Sequence, residues 1–397
     1  MTRPRLETAE VFRMHGEEFL KQYGAGAVQR KVLRAVEKCR TAALGGHVEA
    51  CDRCDHRRIA YNSCRNRHCP KCQGPACAQW MEARAAELLP VPYFHVVFTL
   101  PTALGPLALG NPRIAYGLLL QAAAETLSEV AADPKHLGAE IGFLSVLHTW
   151  GQNLLHHPHV HCVVPAGGIS PDGTRWIRCR KGFFLPVRVL SRVFRGKFIA
   201  GLKRAAAGGR LTPPAAASLE RLLDQVVRHD WVVYAKRPFG GPRQVLKYLA
   251  RYTHRVAISN RRLVALRDGR VTFRWKDYAH GGGTRCMTLA ATEFIRRFLL
   301  HVLPTGFMKI RHYGFMANRF RAAKHELCRR LLHVPTAATV DEASGLGGET
   351  LPSVEVELSA PRCPHCAEGR LHVILELLPP RRGSACVAAT ILYEDTS

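Results

Sequence analysis

The sequence predicts an α+β fold with an antiparallel sheet, preceded by a cysteine-rich module. Three observations predict it. β-rich runs occur in pairs around turn signals, as hairpins do. Longer stretches between them carry apolar residues at helical period. Four cysteines fall as two spaced Cys-x2-Cys pairs within the first 72 residues. This mixed order of hairpins and helices is the signature of an α+β arrangement.

Taken along the chain, residues 8–23 and 27–40 are expected as amphipathic helices, with Val28, Val32, Leu33 and Val36 at helical spacing in the second. The character changes over 46–77, where cysteines and histidines gather. Gln79–Leu89 is expected to be helical, and Tyr93–Leu100 is a β-rich run ended by Pro101. Residues 112–132 are expected as a helix. Phe143–Trp150 and His159–Pro165 are expected as strands joined by a loop at 153–158. The PDGT turn at 171–174 predicts a second hairpin, between Gly168-Ile169 and Trp176-Ile177. Basic helices over 191–207 and 214–228 come before a strand at Trp231–Ala235. Residues 240–255 open with Gly-Gly-Pro and continue at helical period, with Pro242 suited to a first turn. Leu263–Leu266 and Val271–Trp275 flank an Arg-Asp-Gly turn, and 288–302 reads as one more amphipathic helix. From about 336 the composition turns to Ala, Gly, Pro and Glu, and a looser tail is expected. The units this suggests are helices at 1–45, a metal module at 46–80 with Cys39 contributing, a main domain at 91–335 and the tail at 336–397.

Charge narrows the partners. The 397 residues carry 57 Lys and Arg against 31 Asp and Glu, a formal net charge of +26. Such an excess predicts a polyanion as partner, nucleic acid first. No apolar run is long enough to span a membrane, so a membrane partner is not expected. The N-terminus has no secretory pattern, which places the chain in the cytoplasm, with the nucleoid, and makes its 14 cysteines thiols and metal ligands rather than disulfides.

Cys51-x2-Cys54 and Cys69-x2-Cys72 are separated by fourteen residues. Two such knuckles can set four thiolates tetrahedrally around one zinc ion. Cys39, His47, Cys64 and His68 interleave with them, an alternation that suggests a cross-braced second zinc site. Arg65 and Arg67 on the same module suit phosphate contacts. Cys363-Pro-His-Cys366 is half of a further site, with Cys386 its one downstream cysteine.

In LHHPHVHCVV, His159 and His161 stand two apart, so on a strand their imidazoles share a face while Val160 packs behind. They are a ready-made ligand pair for a divalent cation. A third ligand should come from the neighbouring strand. A loop at 153–156 would set His148 opposite His161, which makes His148 the first choice and Gln152, of the same parity, the second. Magnesium or manganese there could polarise a phosphodiester oxygen, and histidine ligands would also suit zinc. Tyr248 and Tyr252 stand at i and i+4 on an expected helix, among Lys247, Arg251 and Arg255. Nearby cations favour attack by a phenol that is otherwise a poor nucleophile.

Five blocks, YNSCRNRHCPKCQ (61–73), FHVVFTLP (94–101), LHTWGQNLLHHPHVHCVVPAGG (147–168), KYLARYTHRVAISNRR (247–262) and IRHYGFMANRFR (310–321), together resemble the rolling-circle transposases of the insertion-sequence-ninety-one family. That family looks like part of the wider HUH (His-hydrophobe-His) endonuclease superfamily. The resemblance covers about residues 35 to 335, in the family's order. It implies a zinc-binding N-terminal module and a catalytic domain built on one antiparallel sheet flanked by helices. It also implies His159 and His161 as holders of the catalytic metal, and Tyr248 and Tyr252 as the nucleophile pair of a two-tyrosine enzyme. The implied chemistry is attack on single-stranded DNA, at element ends and target, leaving a 5′-phosphotyrosine and a free 3′-hydroxyl. No nucleotide is consumed, and the chain has no G-x-x-x-x-G-K-[ST] loop.

Trp275, Arg311 and Arg319 belong to later aromatic and cationic clusters suited to single-stranded DNA. Competing readings are a carboxylate-triad transposase, a tyrosine recombinase, and a non-catalytic zinc-dependent DNA-binding protein. Acids are too sparse for the first, and the His-Val-His strand argues against the second. The third leaves the histidine and tyrosine blocks without a role.

Overall fold

The structure is a computed structural model, and it describes residues 6–74, 77–80, 87–212, 216–236, 257–333 and 360–380. Helices α1 (Thr8–Tyr23) and α2 (Ala27–Glu37) bury Val11, Phe12 and Phe19, and Val32, Leu33 and Val36, from one face each. They lead into a hairpin of β1 (Gly46–Cys51) and β2 (Arg57–Tyr61). After β3 (Tyr93–Thr99) come the short α3 (Gly105–Gly110) and α4 (Pro112–Ala132), whose Leu119, Leu120, Ala123 and Leu127 are all buried. Strands β4 (Gly142–Trp150) and β5 (His156–Pro165) form the expected hairpin, and β6 (Gly167–Ile169) with β7 (Trp176–Arg178) the second. Helices α5 (Val187–Ala207) and α6 (Ala216–Val227) precede β8 (Val233–Lys236). Strands β9 (Leu263–Arg267), β10 (Arg270–Asp277) and β11 (Gly283–Ala290) make a meander that runs into α7 (Ala291–Leu299). The chain continues through β12 (Ile310–Gly314), α8 (Arg321–Leu331) and β13 (Leu371–Leu377).

The central sheet has five strands in the order β12-β4-β5-β3-β8, antiparallel throughout. Its pleat sorts the two faces. Phe98, Phe143, Leu147, Val160, Cys162 and Val164 point to the face covered by α4 and α5, and form the largest core with Leu119 and Phe194. Leu144, Val146 and Val163 point the other way, into a smaller core with Phe315 and Cys328. His95, His148 and His161 lie buried on the same parity as these. A third core joins α1 and α2 to α7 and the β9-β10-β11 sheet, with Phe12 edge-on to Phe298 at 5.2 Å.

Several elements differ from expectation. The helix expected at 288–302 begins only at Ala291, because 283–290 pair as a strand with β10, where the Thr272 and Thr288 hydroxyls meet at 2.8 Å. β12 supplies a fifth strand that residue pattern did not announce. The tail expected to be loose contains β13, which pairs antiparallel with β1 across some 300 residues of sequence. The helix expected at 79–89 falls partly outside the described residues, and the one expected at 240–255 wholly outside them. Among the described residues, no helix is long and apolar enough to cross a membrane.

The β12 edge depends on a glycine. Gly314 pairs with Gly142 at φ 58, and a Cβ on it would lie 1.7 Å from the Ile141 carbonyl oxygen. Left-handed backbone alone costs an L-residue roughly 1–2 kcal/mol. Gly314→Ala is therefore expected to destabilise the protein by at least about 2 kcal/mol, read as a lower denaturant midpoint. An unchanged midpoint would show that β12 does not dock as described.

Candidate metal centres

Among the described residues, three groups of His, Cys, Asp or Glu converge closely enough to share a cation: Cys39, Cys64, Cys69 and Cys72; Cys51, Cys54, Cys363 and Cys366; and His148, His159 and His161. None of the three contains a carboxylate.

The first group corrects the expected pairing. Cys69 and Cys72 are joined by Cys39 and Cys64, not by Cys51 and Cys54. The Sγ atoms of Cys39 and Cys64 each lie 3.6 Å from that of Cys72. A tetrahedron of thiolates with zinc–sulfur bonds of ~2.3 Å has edges of ~3.8 Å, and a disulfide needs ~2.05 Å, so the spacing fits zinc and excludes a bridge. Hydrogen bonding from the Cys64 and Cys69 thiols holds Cys39 down at about 2, while bonding to Cys39 pushes Cys64 up to about 12. Cys39 thus takes the negative charge while the Cys64 thiol keeps its proton. Four thiolates can coexist here only around a cation.

The two expected histidine ligands are engaged elsewhere. His68 bonds Asn66 Oδ1 through Nδ1 at 3.2 Å and accepts the Leu303 N–H at Nε2, 3.3 Å away. Burial holds its ring at about 3, so it stays neutral and both nitrogens are spent. His47 pairs with Glu49 at 3.1 Å, and Glu49 also takes Arg58. Cys51 and Cys54 turn instead to the C-terminal pair, with Cys51 Sγ 3.7 Å from Cys366 Sγ and Cys54 Sγ 3.8 Å from Cys363 Sγ.

The histidine group sits on the face of the central sheet away from α4. His148 pairs with His159 in the β4–β5 ladder, and His161 faces Val146. The expected register set His148 against His161; the shift by two keeps its parity and therefore its face. The His148 ring lies 4.4 Å from that of His161 and 5.4 Å from that of His159, and the last two are 4.8 Å apart. Gln152, the alternative third ligand, falls in the turn beyond β4. His159 donates from Nδ1 to the His157 carbonyl at 2.6 Å, which puts the ring's lone pair on Nε2. His161 Nδ1 lies 2.7 Å from Nε2 of His95, on β3. Burial holds His95 at about 3, so its ring is neutral and can accept the His161 Nδ1 proton, a tautomer that would present His161 Nε2 to a cation. A lone histidine in FHVVFTL gave no sign of this role.

The turn between β4 and β5 is clamped at three successive carbonyls. Arg262 donates to Gln152, Arg297 to Asn153 at 3.2 Å, and His301 to Leu154 at 3.0 Å. Leu154 takes φ 63, and the ladder shifts between His148 and Trp150. The clamp fixes that irregularity and so the ring positions.

The expected DNA contacts divide. Arg67 is committed to the protein, donating to the Phe307 carbonyl at 2.5 Å and to the Pro304 carbonyl at 3.1 Å. Trp275 packs against the α1–α7 core. Arg65 is exposed, Arg319 lies 4.4 Å over the exposed Phe320 ring, and Arg311 lies 5.5 Å over Phe307. Tyr248 and Tyr252, with Lys247, Arg251 and Arg255, lie outside the described residues.

The five-stranded antiparallel sheet carries three histidines close enough to share a cation, and a cysteine module accompanies it; comparison with known proteins names the class. Residues 142–324 match a family described as putative transposase, and residues 11–100 match a transposase zinc-binding domain. The chain is 54% identical over 394 residues to putative transposase y4qJ of Sinorhizobium fredii, covering 96% of this chain and 99% of that one. It is 29% identical over 321 residues to the transposase for insertion sequence element IS801 of Pseudomonas savastanoi pv. phaseolicola, covering 76% of this chain and 73% of that one. No solved structure matches. The chain belongs to the IS91 family of transposases, with an N-terminal zinc-binding domain.

Replacing His95 by Ala removes the acceptor that orients His161. Manganese affinity is expected to fall ten- to a hundredfold, with His95→Gln, whose amide oxygen can accept, recovering part of it. Titration followed by manganese electron paramagnetic resonance reads this directly. Equal affinity in wild type and His95→Ala would remove His95 from the centre.

Proposed function

We propose that this transposase nicks and rejoins single-stranded DNA by tyrosine attack, in the manner of a two-tyrosine HUH endonuclease. The observation that carries the reading is the convergence of His148, His159 and His161 on one sheet face, with ligand atoms all within 4.8 Å of one another. Three imidazoles placed this way would hold a divalent cation and leave coordination positions for a phosphate oxygen. When bound, magnesium or manganese there withdraws charge from the scissile phosphodiester.

The chain's own residues do the rest. His95 and the His157 carbonyl fix the tautomers of His161 and His159. The clamped 151–155 turn holds β4 against β5. One of Tyr248 and Tyr252 attacks phosphorus through its phenolate oxygen. The phosphorus–oxygen bond to the departing 3′ end breaks, giving a 5′-phosphotyrosine and a 3′-hydroxyl. Attack of a 3′-hydroxyl on the phosphotyrosine reverses the step and joins strands. The group Cys39, Cys64, Cys69 and Cys72 holds zinc as a closed, structural set. Exposed cations, Arg65 and Arg319 among them, spread affinity along the DNA backbone.

His159→Ala and His161→Ala, singly or together, and EDTA likewise, are expected to abolish cleavage of single-stranded oligonucleotides, with DNA affinity of the variants within about threefold of wild type because it rests on many cations. Full cleavage by the double variant would end the assignment. Replacing Tyr248 and Tyr252 together by Phe is expected to eliminate the covalent protein–DNA adduct on denaturing gels. An adduct that persists in that variant would put the nucleophile elsewhere.

A further inference from the structure

We infer that the two ends of the chain share a second zinc site, in which Cys51 and Cys54 bind one ion together with Cys363 and Cys366. The matched zinc-binding domain ends at residue 100, far from the second pair. The inference is independent of the cleavage chemistry proposed above.

Four observations carry it. The first is the sulfur geometry: the four ligand atoms lie within 4.8 Å of one another, and the two measured cross-pair separations, 3.7 and 3.8 Å, match the ~3.8 Å edge of a zinc tetrathiolate.

The second is that both pairs are built alike. The Cys51 N–H donates to the His56 carbonyl at 3.0 Å, and the Cys363 N–H to the Gly369 carbonyl at 2.8 Å, so each pair sits on a closed reverse turn. Backbone N–H groups then point at the sulfurs: Arg53 to Cys51 at 3.3 Å, His365 to Cys363 at 3.4 Å and Gly369 to Cys366 at 3.3 Å. Such donors brace a metal-bound sulfur in position.

The third is a glycine at the seam. A Cβ on Gly369 would lie 2.3 Å from Cys51 Sγ and 2.7 Å from Asp52 Oδ1. Only glycine lets the second knuckle come this close to the first. The Arg370 N–H donates to that same Asp52 oxygen at 2.7 Å, and the Asp52 N–H to the Arg370 carbonyl at 3.1 Å.

The fourth is what the segment lacks. Of residues 360–380, Cys363, Gly369 and Leu371 are buried, while Val373, Ile374 and Leu375 on β13 are more than half exposed. So little apolar burial does not hold a strand against β1, whereas a shared metal does. Four thiolates form a soft, closed set that selects zinc and leaves no position for substrate.

The test is metal analysis of the full-length protein. Wild type is expected to hold two zinc ions per chain, with an X-ray absorption spectrum that fits four sulfurs per zinc. Cys363→Ser/Cys366→Ser and Cys51→Ser/Cys54→Ser should each hold one. Proteolytic cleavage within 360–380 should become at least tenfold faster in the first variant, and in wild type after chelation. One zinc in wild type, or no zinc lost on going from wild type to Cys363→Ser/Cys366→Ser, would overturn the inference. The wild-type measurements decide it even if a variant fails to fold.

Discussion

The candidate catalytic centre depends on one ladder, the pairing of β4 with β5. A pleated strand sends alternate residues to opposite faces. That rule lets Val160, Cys162 and Val164 fill the core under α4 while His159 and His161 point away from it. It also puts His148, directly across from His159, on the same face. A slip of one residue would bury imidazoles in the core and expose valines, at a cost of several kcal/mol for the unpaired polar groups alone. The hydrophobic face therefore enforces the polar one. The neighbouring β3 extends the same logic, since Val97 pairs with His161 and His95 takes the diagonal place from which its ring reaches His161 Nδ1.

This explains which parts of the centre were legible in the sequence. The face of the histidines follows from parity alone, and parity survives an error of two in register. The register does not follow, because it depends on a turn in which Leu154 adopts a positive φ and on the irregularity between His148 and Trp150. Nothing local to 151–155 announces that its carbonyls will be taken by Arg262, Arg297 and His301, which lie more than a hundred residues downstream. His95 was missed for a related reason: one histidine in an apolar strand looks like a core residue until its partner is known.

The cysteines teach the complementary lesson. Spacing identifies knuckles but not which knuckles meet. Reading the nearest pairs together gave Cys51 and Cys54 the partners Cys69 and Cys72, and left His47 and His68 to complete a second set. The structure shows both histidines already satisfied, His68 by Asn66 and the Leu303 N–H, His47 by Glu49. Tertiary contact then decides. Cys69 is 1% exposed within the core that α2 and α7 build, and Cys39 stands at the end of α2 in that core. Cys51 and Cys54 stand at the far end of β1, where the partner available is the knuckle brought by β13.

The module and the sheet are consequently one mechanical system. Cys69 shares its core with Leu154, the residue of the clamped turn, and with Phe298 on α7. Arg67, two residues before Cys69, grips the carbonyls of Pro304 and Phe307, and the chain leaves that grip directly into β12, the sheet edge beside β4. A half-buried guanidinium held by two carbonyls is fixed in place, so it transmits position rather than contacting phosphate. The different donor sets suit this division. Closed sets of thiolates retain a soft ion and act as permanent joints. Three imidazoles hold a cation through fewer and harder bonds and leave room for an oxygen ligand. A basic chain with such donor sets can keep its frame rigid through the thiolates, while the histidine centre, in the function proposed above, keeps coordination positions open for a phosphate oxygen.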